Sequence, residues 1–247
     1  MPICVVSHKN TSFPESDLYW PIAVGPNKFD GAKYRDDLGK DNIAHLNRFY
    51  CELTATYWVW KNINADFVGI CHYRRYFNFV PTTHFASGWL ELAYDNNIAS
   101  ILADPRQAES IERILQTYDI IVPRSDPCPL TLRESYLATQ SAKEWDVFVD
   151  EVDFLYGRHN HPLRVENRNI YGNMLICRKD VFDHYCKQLF FVIDRVFQRV
   201  GEYDEVPGAR YQPFRYPGYL AERFTSAFIF ANRLRAYESQ IFVLNNV

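Results

Sequence analysis

The sequence predicts an α/β fold: one domain over residues 1–247, with a central, mostly parallel sheet flanked by helices. Three observations carry that reading. Short apolar runs such as Phe67-Val68-Gly69-Ile70-Cys71 lack a two-residue period, as strands buried on both faces do. Between them lie stretches whose apolar residues recur at steps of three and four, the pattern of amphipathic helices. The 247 residues are 47% hydrophobic, enough for one large core and too much for a disordered chain.

In chain order, Ile3–Val6 reads as the first strand and closes on Ser7, His8, Lys9 and Asn10. A strand followed by a polar loop suits a nucleotide, although no glycine fingerprint is present. Residues 12–38 are rich in loops, with a short strand at Pro21–Val24. Residues 41–62 are predicted as one long helix. Ile43, Leu46, Tyr50, Leu53, Tyr57 and Trp60 form its apolar face, and Asp41 or Asn42 caps it. Asp41, His45, Arg48 and Glu52 make a second, polar stripe. The strand 67–71 ends in His72-Tyr73-Arg74-Arg75. Ligands of open α/β sheets bind beyond the carboxyl ends of strands. Two forked guanidinium groups and an imidazole there suit a phosphate or pyrophosphate; a solvated basic turn is the plain alternative.

Further along, a helix is expected over 106–118, opened by Pro105. A strand follows at Asp119–Val122, with Arg124-Ser125-Asp126 beyond its end. Thr131 with Glu134, and Ser141 with Glu144, read as capping boxes. His159 and His161 lack a third ligand and read as surface residues. Asn169–Cys177 reads as a third buried strand with an irregularity at Gly172-Asn173, where glycine marks a close approach. Helices are expected over 180–199 and 218–232, and an edge strand over 236–244. The irregular, proline-bearing segment 201–217 is long enough to suggest a lid.

Composition narrows the function. A net charge of −3 and a pI near 6.2 speak against nucleic acid as a partner. Aromatic residues at 16% favour carbohydrate or nucleotide stacking as much as core packing. The six cysteines show no paired spacing and suit a reducing, cytoplasmic setting. No run reaches transmembrane length, so a soluble protein is expected, with peripheral contact at the inner face of the cytoplasmic membrane left open.

The blocks YCELTATYWVWKN, GICHYRRYF, GNMLICRKDVFDHYC and GYLAERF resemble the bacterial domain of unknown function 4422, associated with glycosyltransferase family 111 and found in capsule and O-antigen gene clusters. The resemblance covers nearly the whole chain. It implies a GT-A-like fold and an inverting transfer of galactofuranose from UDP-galactofuranose to a glycan or lipid-linked glycan acceptor in surface-polysaccharide synthesis, with a polysaccharide assembly complex as a further partner. GT-A enzymes usually carry Asp-x-Asp after a buried strand, to hold a divalent metal. Here His72-Tyr73-Arg74-Arg75 stands in that place, so no metal and no other cofactor is expected. The contrary arrangement would use Asp36, Asp37 or Asp41 as ligands. The expected catalytic residues are Glu222, as base, with Arg74 and Arg75; Glu52 and Asp126 are the alternative bases. Donor binding is expected from Ser7, His8, Lys9, Asp41, Asn42, His72, Tyr73 and Arg223. Acceptor binding is expected from Asn173 and Tyr219. The competing expectation is a non-catalytic domain that binds carbohydrate or nucleotide sugar; a phosphate-ester hydrolase ranks last, for want of a nucleophile.

Overall fold

Among the described residues, ten strands form one mixed sheet: β1 (Ile3–Ser7), β2 (Tyr19–Ala23), β3 (Tyr34–Arg35), β4 (Phe67–His72), β5 (Arg75–Phe77), β6 (Trp89–Ala93), β7 (Ile120–Pro123), β8 (Leu175–Arg178), β9 (Ala236–Ser239) and β10 (Ile241–Asn245). The computed structural model describes the whole chain except Asn27, residues 80–87, Asp126, Pro127, Asn246 and Val247. Among the described residues there are eight α-helices: α1 (Asn47–Tyr50), α2 (Leu53–Asn62), α3 (Asn96–Ala103), α4 (Arg106–Leu115), α5 (Leu132–Leu137), α6 (Ala142–Tyr156), α7 (Lys179–Val200) and α8 (Tyr216–Ala231).

Strand β4 sits at the centre. It runs parallel to β1, with Val6 opposite His72, and antiparallel to β8, with Phe67 opposite Arg178. Five of the described strand pairings are parallel and four antiparallel. Gly69 lets the sheet pack closely here, since a Cβ would stand 3.0 Å from the side chains of both Ile3 and Ile176. Odd and even residues of the strands divide between two apolar layers. Cys4, Val6, Val68 and Ile70 face α2, α6, α7 and α8, while Ile3, Val5, Cys71 and Ile121 face α3 and α4.

The neighbour of β4 changes along its length. As far as Ile70 the partner is β8; at His72 it is β5, which returns through the two-residue turn Tyr73-Arg74. The sheet therefore forks at the carboxyl end of β4, and the segment leading into β8 passes through the fork.

Two expectations fail at this place. The helix over 41–62 is broken: a 3-10 turn at Ala44–Leu46 leads into α1, and α1 ends at Cys51, whose φ of 52° and ψ of −125° no helix can contain. The Asn47 amide fastens the break, donating to Cys51 O at 2.8 Å and to Thr54 Oγ1 at 3.0 Å. The strand expected over 169–177 begins only at Leu175, because Gly172 (φ 93°) and Asn173 (φ 49°) leave the extended region. Between β5 and α4 the described residues hold β6 and α3. Segment 201–217 is irregular up to a 3-10 turn at Pro213–Arg215, and α8 starts at Tyr216 with Pro217 in its first turn. The Thr131–Glu134 capping box forms. His161 is a buried residue and not a surface one: its Nε2 lies 2.6 Å from Asp153 Oδ1.

Candidate active site

The fork gathers residues from four stretches of the sequence around one peptide unit. The Gly172 N–H donates to Glu222 Oε1 at 2.8 Å, and the Gly172 carbonyl lies 2.5 Å from His72 Nε2. The next residue extends the network. The Asn173 amide donates to Glu52 Oε1 at 2.7 Å and to Gly218 O at 3.0 Å. A Cβ on Gly172 would meet Met174 Sδ at 3.3 Å and Arg75 Nη1 at 3.5 Å, so the positive φ and the crowding both call for glycine. Strained backbone at Cys51, Gly172 and Asn173 thus orients Glu52, Glu222 and His72 together; such strain collects at functional sites.

The two carboxylates are tuned apart. Burial pushes Glu222 up from its ordinary value, with Glu52 adding to the rise against the pull of Arg223, the Gly172 N–H and Arg75. Burial also opposes charge on Glu52, yet His72, the Asn173 amide and Arg215 outweigh it and hold this carboxyl low. Burial and Arg75 push His72 down despite Glu52. The two carboxylates therefore differ in proton affinity, Glu52 being the lower and Glu222 the higher. Opposed shifts of this kind mark acid–base sites.

Cations border the acids. Arg223 Nη1 donates to Glu222 Oε2 at 2.8 Å and to Tyr219 O at 2.9 Å, and Arg223 is buried. Arg215 Nε donates to Cys51 Sγ at 3.0 Å, and its guanidinium lies 5.9 Å from the Tyr219 ring. At the end of β1, Ser7 Oγ donates to Lys9 O at 2.6 Å and so fixes the turn that presents His8 and Lys9. His8 packs edge-on against Tyr73 at 5.3 Å, and Lys9 Nζ lies 5.0 Å from the same ring. Burial, Lys9 and Arg215 together push His8 down, which joins the β1 end to the head of α8. Burial pushes the Cys51 thiol up to about 12, so it is no nucleophile at neutral pH.

Of the expected residues, the fork brings together Glu222, Glu52, His72, Arg75, Arg223, Asn173 and Tyr219, with Ser7, His8, Lys9 and Tyr73 along one side. Arg74 stands apart. It is exposed at the corner of the β4–β5 turn, while Tyr73 beside it packs against His8. Asp41 and Asn42 also stand apart. Asn62, at the far end of α2, donates to Asp41 O, and Glu52 precedes the first residue of α2, so about 15 Å of helix separates them from the fork. There they serve structure: Asp41 accepts from Tyr57 and Asn42 from the amide of Ala44. Asp126 lies outside the described residues.

Sequence reasoning missed Arg215. Arg215, Tyr219 and Glu222 fall at steps of four and three, a spacing that places them on one helical face. The signal was there, hidden because Arg215 lies in the irregular segment just ahead of α8.

The residues at the fork do not fit the divalent metal of the usual Asp-x-Asp arrangement. Arg215 faces Glu52, while Arg223 and Arg75 face Glu222, and these guanidinium groups would oppose a divalent ion. Asp36 is ion-paired with Lys28 and accepts from Thr54 Oγ1, and Asp37 accepts from Arg35 at 2.8 Å. Among the described residues, no three His, Cys, Asp or Glu side chains converge as a metal site.

The domain of unknown function DUF4422 matches residues 2–233. The chain belongs to the DUF4422 family. No curated protein matches it. Among solved structures, this DUF4422 chain is similar to the apo structure of WbbM, described as a bifunctional glycosyltransferase, with a TM-score of 0.82 and 27% identity over 99% of its length. It spans 45% of that chain, so under half of that larger protein corresponds to it. The DUF4422 fold is thus a glycosyltransferase fold, a central sheet flanked by helices. Among the described residues, no helix is long and apolar enough to cross a membrane.

Proposed function

We propose that this DUF4422 chain is a glycosyltransferase that transfers a sugar from a UDP-sugar to a glycan acceptor with inversion and without a metal. The observation that carries this reading is the Gly172 peptide, which ties Glu222 to His72 at the fork, with guanidinium groups alongside. The fold shared with the WbbM chain supports the reaction class.

In the proposed step, an acceptor hydroxyl oxygen attacks the anomeric carbon of the donor. The bond from that carbon to the diphosphate breaks, and its electron pair leaves with UDP. The proton of the attacking hydroxyl passes to Glu222. A carboxylate with raised proton affinity is the better base, provided it is ionised. Glu52, held low, is the poorer one. Its charge instead keeps Asn173 and His72 in place. Arg75, Arg215 and Lys9 supply fixed positive charge for the departing diphosphate, the part a metal plays elsewhere. Tyr73 and His8 offer ring faces for the base or ribose. We infer galactofuranose as the sugar, surface-polysaccharide synthesis as the setting and the cytoplasm as the place, from the family resemblance alone.

A second reading has one specific observation in its favour. Both Glu222 oxygens already accept hydrogen bonds, from Gly172 and from Arg223, which also suits a purely structural carboxylate in a binding domain. An assay for UDP release across a panel of UDP-sugars separates the two. Transfer predicts release that rises with acceptor and is lost in Glu222→Gln, while UDP still binds. Binding of UDP without release from any donor would leave the binding domain standing.

A further inference from the structure

A cavity of about 990 Å³ opens between the second half of α8 and the segment that follows α6. It is at the upper end of the range for small-molecule sites and larger than one sugar ring needs. Tyr156 and Phe230 give it aromatic surface, and the Phe230 ring is 55% exposed. Ser226 also lines it; this side chain is only 8% exposed, and its Oγ has no hydrogen-bond partner. The rim is built and held: Arg168 pairs with Glu238 at 3.0 Å and donates to Ser125 O at 2.9 Å. Around that rim Arg168 and Arg233 are matched by Glu166 and Glu238, so the cavity carries no excess of either charge. Its position is specific. Ser226 is one helical turn beyond Glu222 on α8, about 6 Å along the axis. Tyr171, half-exposed with Arg223 5.8 Å from its ring, stands near the step between them.

We propose that this cavity is a glycan subsite that holds the distal sugar units of an acceptor oligosaccharide whose reacting end lies at Glu222. The proposal rests on the transferase reading and extends it to an acceptor longer than one sugar. Aromatic faces take the C–H side of a sugar ring, and a hydroxyl without a partner takes one of its hydroxyls. Balanced charge at the rim selects a neutral glycan over an anionic one.

The test is an NMR titration with galacto-, gluco- and manno-oligosaccharides of one to four units, run on the wild type, Phe230→Ala, Phe230→Trp and Ser226→Ala, alongside calorimetry with UDP. In one of the three series, affinity should rise about tenfold from one unit to four. Phe230→Ala should remove that gain, Phe230→Trp should keep it, and Ser226→Ala should reduce it, all with UDP binding unchanged. Affinity independent of length in all three series, or a gain that survives Phe230→Ala, overturns the subsite. Failure of the wild type to bind UDP would count against the transferase reading instead, and the oligosaccharide series would still judge the cavity.

Discussion

Glu222 is the residue on which the proposed chemistry turns, and its environment gives it a measurable signature. Burial raises its proton affinity above the ordinary carboxylate value of 4.5. A base must be ionised, so activity should fall as the pH drops through that raised value. The acid limb of the kcat/KM profile should therefore lie above 4.5, and Glu222→Gln should remove the limb together with about 10²–10⁴-fold of the rate. Substitution of Glu52 should act differently. Glu52→Gln keeps an acceptor for Asn173 but removes the charge facing His72, so it should shift the profile more than it lowers the maximum. Profiles measured on both variants would check this; an unchanged acid limb in Glu222→Gln would remove Glu222 from the role. The residue types at the fork were legible in the sequence, because His72 and Arg75 stand at strand ends, and Glu222 and Arg223 sit side by side in an otherwise apolar stretch of helix, where a core has no use for charge. Their hydrogen-bond partners were not legible. Nothing in the sequence places Gly172, a hundred residues away, against His72.

At the scale of elements, the two failed expectations lie at the fork itself. The apolar spacing of residues 43–60 does continue across Cys51, and that continuity is why a single helix is the natural reading. Local hydrogen bonding overrides it. Asn47, Thr54 and buried Asp36 form a chain that holds the backbone at Cys51 out of helical geometry and so turns Glu52 toward Asn173. Asn47→Ala should destabilise the protein by about 1–2 kcal/mol, read from chemical denaturation, since it removes two hydrogen bonds at a helix boundary. It should also lower kcat by loosening Glu52. A loss of stability with kcat unchanged would make the break a structural detail only. Gly172→Ala places a side chain at a φ of 93° in a crowded position and should cost activity as well as stability. Strands β1, β4 and β7 and the long helix α7 were predictable to within a residue or two, because periodicity and burial agree there. The boundary of β8 was not, because its apolar run continues through a backbone that is no longer extended. The single edge strand expected over 236–244 is instead two strands, β9 and β10, and β10 lies between β5 and β6.

Taken as a whole, the molecule is a sheet that forks, and four chain segments distant in sequence meet there: the start of α2, the end of β4, the approach to β8 and the first turns of α8. A ligand bound at such a junction should stabilise the entire fold. At a hundredfold excess over Kd, UDP should add about 2.7 kcal/mol, seen as a rise of several degrees in Tm. That rise should persist in EDTA, because the charges facing the diphosphate are fixed side chains. The claim that guanidinium groups stand in for a metal is also the one most directly exposed to experiment. The decisive measurement is UDP release from the preferred UDP-sugar, with acceptor, after exhaustive treatment with EDTA, for the wild type and for Arg75→Ala. The account predicts full activity of the wild type in chelator and a loss of about 10²–10³-fold in Arg75→Ala. Activity abolished by EDTA and restored by Mn²⁺ or Mg²⁺, with Arg75→Ala behaving like the wild type, would contradict it.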